Sequence, residues 1–244
     1  MSAPIIGQRQ RWAPPPTAQV DWSHPLAAGL AVYTLFAPAA IPIVGGLTVG
    51  YVETAVPTAI DGPYGVAGRT ASGRTGYITL TPRAWRYSAP VAALTVASAV
   101  RAPATPATTA EFFAPSSLSG GAQNGCSGPG FSTAMKATAQ VGVTSFGQIR
   151  LTGATTLTEN RWYQMTVSSR ASSHVLAVDG VQDASSTDSR TSDFGGMWQI
   201  AGDNNPFSGN APQIDVSWFA TWARAFNAAE IAQLAADPFC FLRW

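Results

Sequence analysis

QIDVSWFATWARAFNAAEIAQLAADP, residues 213–238, runs from an apolar strand into a short helix, and its reading decides the fold. The first half is rich in β-branched and aromatic residues from Ile214 through Trp222, the composition of a buried strand. In the second half Asn227 can accept a hydrogen bond from an orphan backbone N–H, and Glu230, three residues on, can reach back. That is the pattern of a capping box. Ile231, Leu234 and Ala235 then share one face at helical spacing, and Asp237-Pro238 marks the stop. So short a helix does not persist alone in water. It must dock on a surface that the strands supply.

Upstream the pattern is strand, turn, strand. Expected strands are GLAVYTLF (29–36), GLTVGYVE (46–53), TGYITL (75–80), ALTVASAVRA (93–102) and EFFAP (111–115). In 93–102 Leu94, Val96, Ser98 and Val100 alternate with Thr95, Ala97, Ala99 and Arg101. After a Gly- and Ser-rich run (116–130) come FSTAMKATA (131–139), VGVTSFGQIRL (141–151), RWYQMTVSSR (161–170) and SHVLAVDGVQ (173–182), the last with a tight Asp179-Gly180 turn. GMWQIAG (196–202) precedes the opening stretch. Many short strands with one helix predict an all-β sandwich or jelly roll. Residues 1–20, with PPP at 14–16, predict an extended Pro-rich arm, and 21–244 a single domain.

Of 244 residues, 46% are apolar, so a sizeable core is within reach, yet only 11% are charged, against roughly 25% in soluble globular chains. Either neighbours in an assembly cover part of the surface, or the surface is a Ser/Thr-rich β face. The net charge is +1, and Lys136 is the sole lysine among scattered arginines, which excludes the footprint of a nucleic-acid binder. Cys126 and Cys240 lack metal spacing, and their pairing stays open. MSAPIIGQRQRWAPPP lacks the apolar core of a secretory signal. Residues 25–52 carry no charge, but Pro25, Pro38, Pro42, Gly29, Gly45 and Gly46 would repeatedly break a spanning helix, so no membrane segment is expected.

Four motifs in order resemble the concanavalin A-like lectin/glucanase superfamily in its laminin-G-like form. They are ALTVASAVRA, NRWYQMTVSS, HVLAVDGV with QIAGDNN, and IDVSWFATWARAFNAAEIAQLAADP. The resemblance covers roughly residues 75–240 and implies a jelly roll of two antiparallel sheets, with the helix plugging an edge or end. VDWSHPLAAGL and ADPFCFLRW also resemble the opening and close of bacteriophage-encoded members. This implies a virion protein made in the host bacterial cytoplasm, first as a capsid decoration protein, alternatively as a carbohydrate-binding module of a tail or fibre.

Glycosidases of this superfamily pair two carboxylates across the scissile bond. Here Glu53, Glu111, Glu159 and Glu230 are isolated, and Glu230 is accounted for by capping, so no enzyme is expected. Ser172, His174 and Asp179 lack the turn that would support a nucleophile. His24 sits in the DWSHP turn, where Asp21 and Ser23 pin the chain. The resemblance implies calcium as the one candidate cofactor, on Asp203, Asn204 and Asn205 with Asp215 nearby, although Asx residues equally turn a chain. Trp162, Trp218 and Trp222 read as core, whereas Trp85 and Tyr87 are the candidate platforms for a polysaccharide. Arg9, Arg11 and Trp12 on the arm are candidate contacts to other virion proteins or to copies of this chain.

Overall fold

The computed structural model describes residues 14–37, 39–44, 47–51, 57–70, 78–82, 93–102, 104–106, 110–111, 113–115, 127–144, 147–189, 198–200 and 213–244. The strands begin with β1 (Gln19–Val20), β2 (Leu30–Phe36), β3 (Ala40–Pro42), β4 (Leu47–Tyr51), β5 (Thr58–Gly62), β6 (Gly65–Arg69) and β7 (Ile78–Pro82). Next come β8 (Ala93–Arg101), β9 (Ala110–Glu111), β10 (Phe113–Pro115), β11 (Ser127–Phe131), β12 (Lys136–Thr144) and β13 (Gly147–Thr156). The last are β14 (Trp162–Arg170), β15 (Ser173–Val178), β16 (Val181–Ser186), β17 (Trp198–Ile200), β18 (Asp215–Trp222) and β19 (Leu242–Arg243). A single 3-10 turn spans Pro25–Ala27, and α1 spans Ala228–Ala236.

The central sheet has the order β16-β15-β14-β8-β18-β2-β3, with the β5–β6 hairpin added through β6 on β18. All of its pairs are antiparallel. Its middle strands β8, β14 and β18 are buried along almost their whole length, because the sheet is covered on both faces. On one face Val96, Val100, Met165, Val167 and Phe219 pack with Phe131, Ala139, Val141 and Leu151 of the β13-β12-β11-β9 sheet. This is the sandwich core, filled by branched and aromatic side chains from two inner faces. On the other face Ala97, Ala99, Ala177 and Ala220 leave space for Tyr33, Trp218 and Trp222, and for Phe226, Phe239 and Phe241 arriving from the C-terminal segment. Val216 and Phe219 both lie in the sandwich core, which strict alternation forbids. A register shift against β8 between Val216 and Trp218 inserts Ser217 as the extra residue and flips the pattern.

The helix is capped as its sequence predicts. Asn227 Oδ1 accepts from Glu230 N at 3.0 Å, and Glu230 Oε2 accepts from Asn227 N at 2.9 Å. Its position fits the expectation of an edge, since it packs beside β16, the outermost strand of the central sheet. Ile231 and Leu234 are buried in the layer over the outer face of the central sheet, and Ile231, Ala232 and Ala235 close on Gly180 of the β15–β16 turn at its edge. Each such burial contributes about 1.5–3 kcal/mol. Past the helix, Pro238 O accepts from the hydroxyl of fully buried Tyr33 at 3.0 Å, and burial pushes that phenol's pKa well up, so it remains a donor.

Other features differ from the sequence reading. The expected strand 131–139 is cut by a turn over Ser132–Met135, in which Ser132 Oγ accepts from Lys136 N and Met135 takes a left-handed φ of 52°. The β5–β6 hairpin and the two-residue pair β1–β19 have no counterpart in the sequence reading. Trp218 and Trp222 are core, but Trp162 is only half buried, with the Arg101 guanidinium 5.1 Å over its ring.

Candidate functional site

The site forms where the start and end of the described chain are stitched together. Gln19 pairs with Arg243 and Val20 with Leu242, and Asp21 N then donates to Phe241 O at 2.8 Å. Asp21 and Ser23 turn toward each other: Ser23 N and Oγ donate to Asp21 Oδ1 at 3.1 and 2.6 Å. His24 N donates to Asp21 O, and His24 Nδ1 accepts from Leu26 N at 3.1 Å, which caps the 3-10 turn with Pro25 at its start. So Asp21 and Ser23 pin the chain as expected, and His24 is a cap.

The turn is anchored from below by the strand–helix junction. Trp222 Nε1 donates to Leu26 O at 2.7 Å. Arg224 donates from Nε to Ala28 O, from Nη2 to Pro25 O and from Nη1 to Glu230 Oε1. A single arginine therefore ties the N-terminal turn to the first turn of the helix.

With Asp21 and Ser23 occupied by each other, Trp22 between them is left facing solvent and is 63% exposed. On β19 the alternation puts Leu242 inside and Arg243 outside, and Trp244 beyond it is 66% exposed. Thr17, Gln19, Val20, Asp21, Trp22, Ser23, Arg243 and Trp244 line an open cleft of about 750 Å³. Arg243 Nη2 donates to Asp21 Oδ2 at 2.5 Å across it. The Ser23 hydrogen bonds and the Arg243 guanidinium hold the Asp21 carboxyl below its usual range, so it stays ionised. The result is two exposed indoles lining a cleft beside a row of polar groups.

None of the expected platform, metal or arm residues enters this description. Arg9, Arg11, Trp12, Trp85, Tyr87, Asp203, Asn204 and Asn205 lie outside the described residues, as does Cys126. Asp215 is described and is committed elsewhere: Arg69 takes both of its oxygens at 2.6 and 2.9 Å, and Arg101 Nε donates to Oδ2 at 2.6 Å. A carboxylate held by two guanidiniums is not a site for a further cation. Ser172, His174 and Asp179 do not converge. His174 is buried, with Nδ1 2.8 Å from Ser169 Oγ and Nε2 3.0 Å from Asp188 O, while Asp179 accepts from Gln164 N and Arg161. Glu159 accepts from Thr105 N and Oγ1. Among the described residues no group of three or more His, Cys, Asp or Glu could hold a metal, and no helix is long and apolar enough to cross a membrane.

The sequence reading missed Trp22 and Trp244. The signal was present in their neighbours: Asp21-Trp22-Ser23 and Arg243-Trp244 set the ring among polar side chains, whereas Trp218 and Trp222 stand among apolar ones.

The Laminin_G_3 family model, of the concanavalin A-like lectin/glucanases superfamily, matches residues 72–232, more than half of the chain. The chain belongs to this superfamily. The match does not include the two segments that build the cleft. No curated protein matches the sequence. Among solved structures, the binding domain of Paraclostridial mosquitocidal protein 1 is 13% identical with a TM-score of 0.67, over 87% of this chain and 53% of that one. The binding domain of botulinum neurotoxin DC in complex with SialylT is 11% identical with a TM-score of 0.63, over 85% and 50%. The same toxin's binding domain in complex with rat synaptotagmin II is 10% identical with a TM-score of 0.64, over 85% and 51%. The chain spans about half the length of these structures, and at such identities the likeness is one of fold.

Proposed function

We propose that this chain is a non-enzymatic carbohydrate-binding module, carried as a structural component on the exterior of a bacteriophage particle and contacting host surface glycan. The observation that carries this reading is the pair of exposed tryptophans, Trp22 and Trp244, on a cleft held together by the β1–β19 pairing. Large aromatics left open to water in a chain that buries Trp218 and Trp222 completely call for a ligand with an apolar face. A pyranose ring has such a face, and hydroxyls at its rim that suit Gln19, Thr17 and Ser23. The solved toxin domains of like fold, one of them held with SialylT, support the glycan half of the reading.

The particle half draws on the two segments that resemble phage-encoded proteins. VDWSHPLAAGL and ADPFCFLRW are knitted into one clasp by β1–β19 and by the Asp21–Arg243 pair, which supports treating them as a single device. A glycan platform favours a tail- or fibre-borne position over capsid decoration, because it must face the host. The partners in this reading are other virion proteins, copies of this chain and a polysaccharide, with assembly in the host bacterial cytoplasm. It assigns no bond-breaking step and no cofactor.

The test is binding of the full chain to immobilised surface polysaccharides of candidate hosts, for the parent and for Trp22→Ala and Trp244→Ala. Each substitution is expected to weaken binding about five- to tenfold, with the melting temperature unchanged. Variants that bind as the parent does, or a parent that binds no polysaccharide, would sink the glycan reading and return the capsid decoration role to first place.

A further inference from the structure

We propose that the saccharide this cleft takes is an acidic one, recognised through a carboxylate placed on Arg243; the inference rests on the glycan reading above and names its ligand class. Binding a neutral sugar requires acceptors as well as donors, since every hydroxyl carries a proton to give. The Asp21 carboxylate is already engaged: Oδ1 accepts twice from Ser23, and Oδ2 accepts from Arg243, which leaves the neutral groups of Thr17, Gln19 and Ser23 for sugar hydroxyls. Arg243 is in the opposite condition. Its side chain is 71% exposed, and only Nη2 has a hydrogen-bond partner among the described residues. The rest of its planar fork is open to the cleft, held in place by the Asp21 contact and by the pairing of Arg243 with Gln19.

A fixed guanidinium with unused donors matches a planar, acceptor-only group, and a carboxylate fits it with two parallel hydrogen bonds. Trp22 and Trp244 add apolar faces, and neither indole stacks on another ring among the described residues. Asp21 is thus a positioning residue that aims Arg243, and Arg243 and the two indoles touch the ligand. An acidic pyranose carries its carboxylate and its apolar face on one ring, so a single sugar unit engages Arg243 and an indole together.

The experiment compares binding of the full chain to polygalacturonate, alginate and polysialic acid, each against its methyl-esterified form, for the parent, Arg243→Gln and Arg243→Lys. At least one acidic polymer should bind, esterification and Arg243→Gln should each weaken it about tenfold or more, and Arg243→Lys should restore only part of the loss. Equal binding of the acidic and esterified forms, or an Arg243→Gln variant as tight as the parent, overturns the acidic-ligand inference while the glycan reading stands. Failure of every acidic and neutral polymer overturns both. Melting temperatures within a degree or so of the parent keep a folding defect from imitating either result.

Discussion

Two aspartates in this molecule do the same thing in opposite surroundings. Asp215 and Asp21 each accept from an arginine that lies across a strand pair or next to one, at 2.6 and 2.5 Å respectively. Asp215 is 0% exposed and lies between Arg69 and Arg101, its register partners on β6 and β8. Asp21 lies at the surface, beside an arginine that is mostly in water. Burial, not geometry, decides what each pair is worth. A buried carboxylate that loses its partners, or partners that lose their carboxylate, leaves uncompensated charge in a low-dielectric place. An exposed pair gains little from its own Coulomb energy and is free to serve as a positioning device. The first closes the fold; the second aims a side chain.

The largest break comes from Asp215→Ala, which strands two guanidiniums against the central sheet. It is expected to cost about 3–5 kcal/mol in urea or thermal unfolding, and a loss under about 1 kcal/mol would mean that water already reaches the cluster. Arg69→Gln is milder, since Arg101 still neutralises Asp215 and an amide can still donate. A loss of about 1–2 kcal/mol is expected, and a loss as large as that of Asp215→Ala would show that the two arginines are not redundant. The smallest effect belongs to Asp21. Its pKa is lowered from 3.8, so whatever its ionised form contributes is fully present above that value and is lost as pH falls toward the folded-state pKa. Acid titration of the parent should therefore leave the cleft unchanged from pH 7 down to about pH 4, and the Arg243 fork should loosen only as the pH falls further, through the lowered Asp21 pKa. Quenching of the exposed Trp22 and Trp244 fluorescence reads this directly. A change centred near pH 6 would point to a group other than Asp21.

The parts of the fold that were legible in the sequence are those in which one face is plainly apolar. β8, β14, β15 with β16, and β18 run close to their expected spans, and the Asn227–Glu230 box fixes the helix start. The illegible parts have other causes. TAIDGPYGVAGR (58–69) forms a hairpin whose faces are partly exposed, so it lacks alternation. The turn at Met135 depends on a positive φ that Met does not advertise. Two-residue strands such as β1 and β19 carry no period at all. They exist because Leu242 and Phe241 are buried under Leu26 and its neighbours, a tertiary fact. The cleft was hidden for the same reason: Trp22 and Trp244 are 222 positions apart, and only the closure of β1 on β19 brings them to one surface.

That closure has a consequence for the order of the chain itself. Gln19 lies directly opposite Arg243, about 5 Å away at Cα as antiparallel partners are. Two segments at opposite ends of the described sequence therefore form one antiparallel pair without a turn, and loosening either strand frees both indoles together.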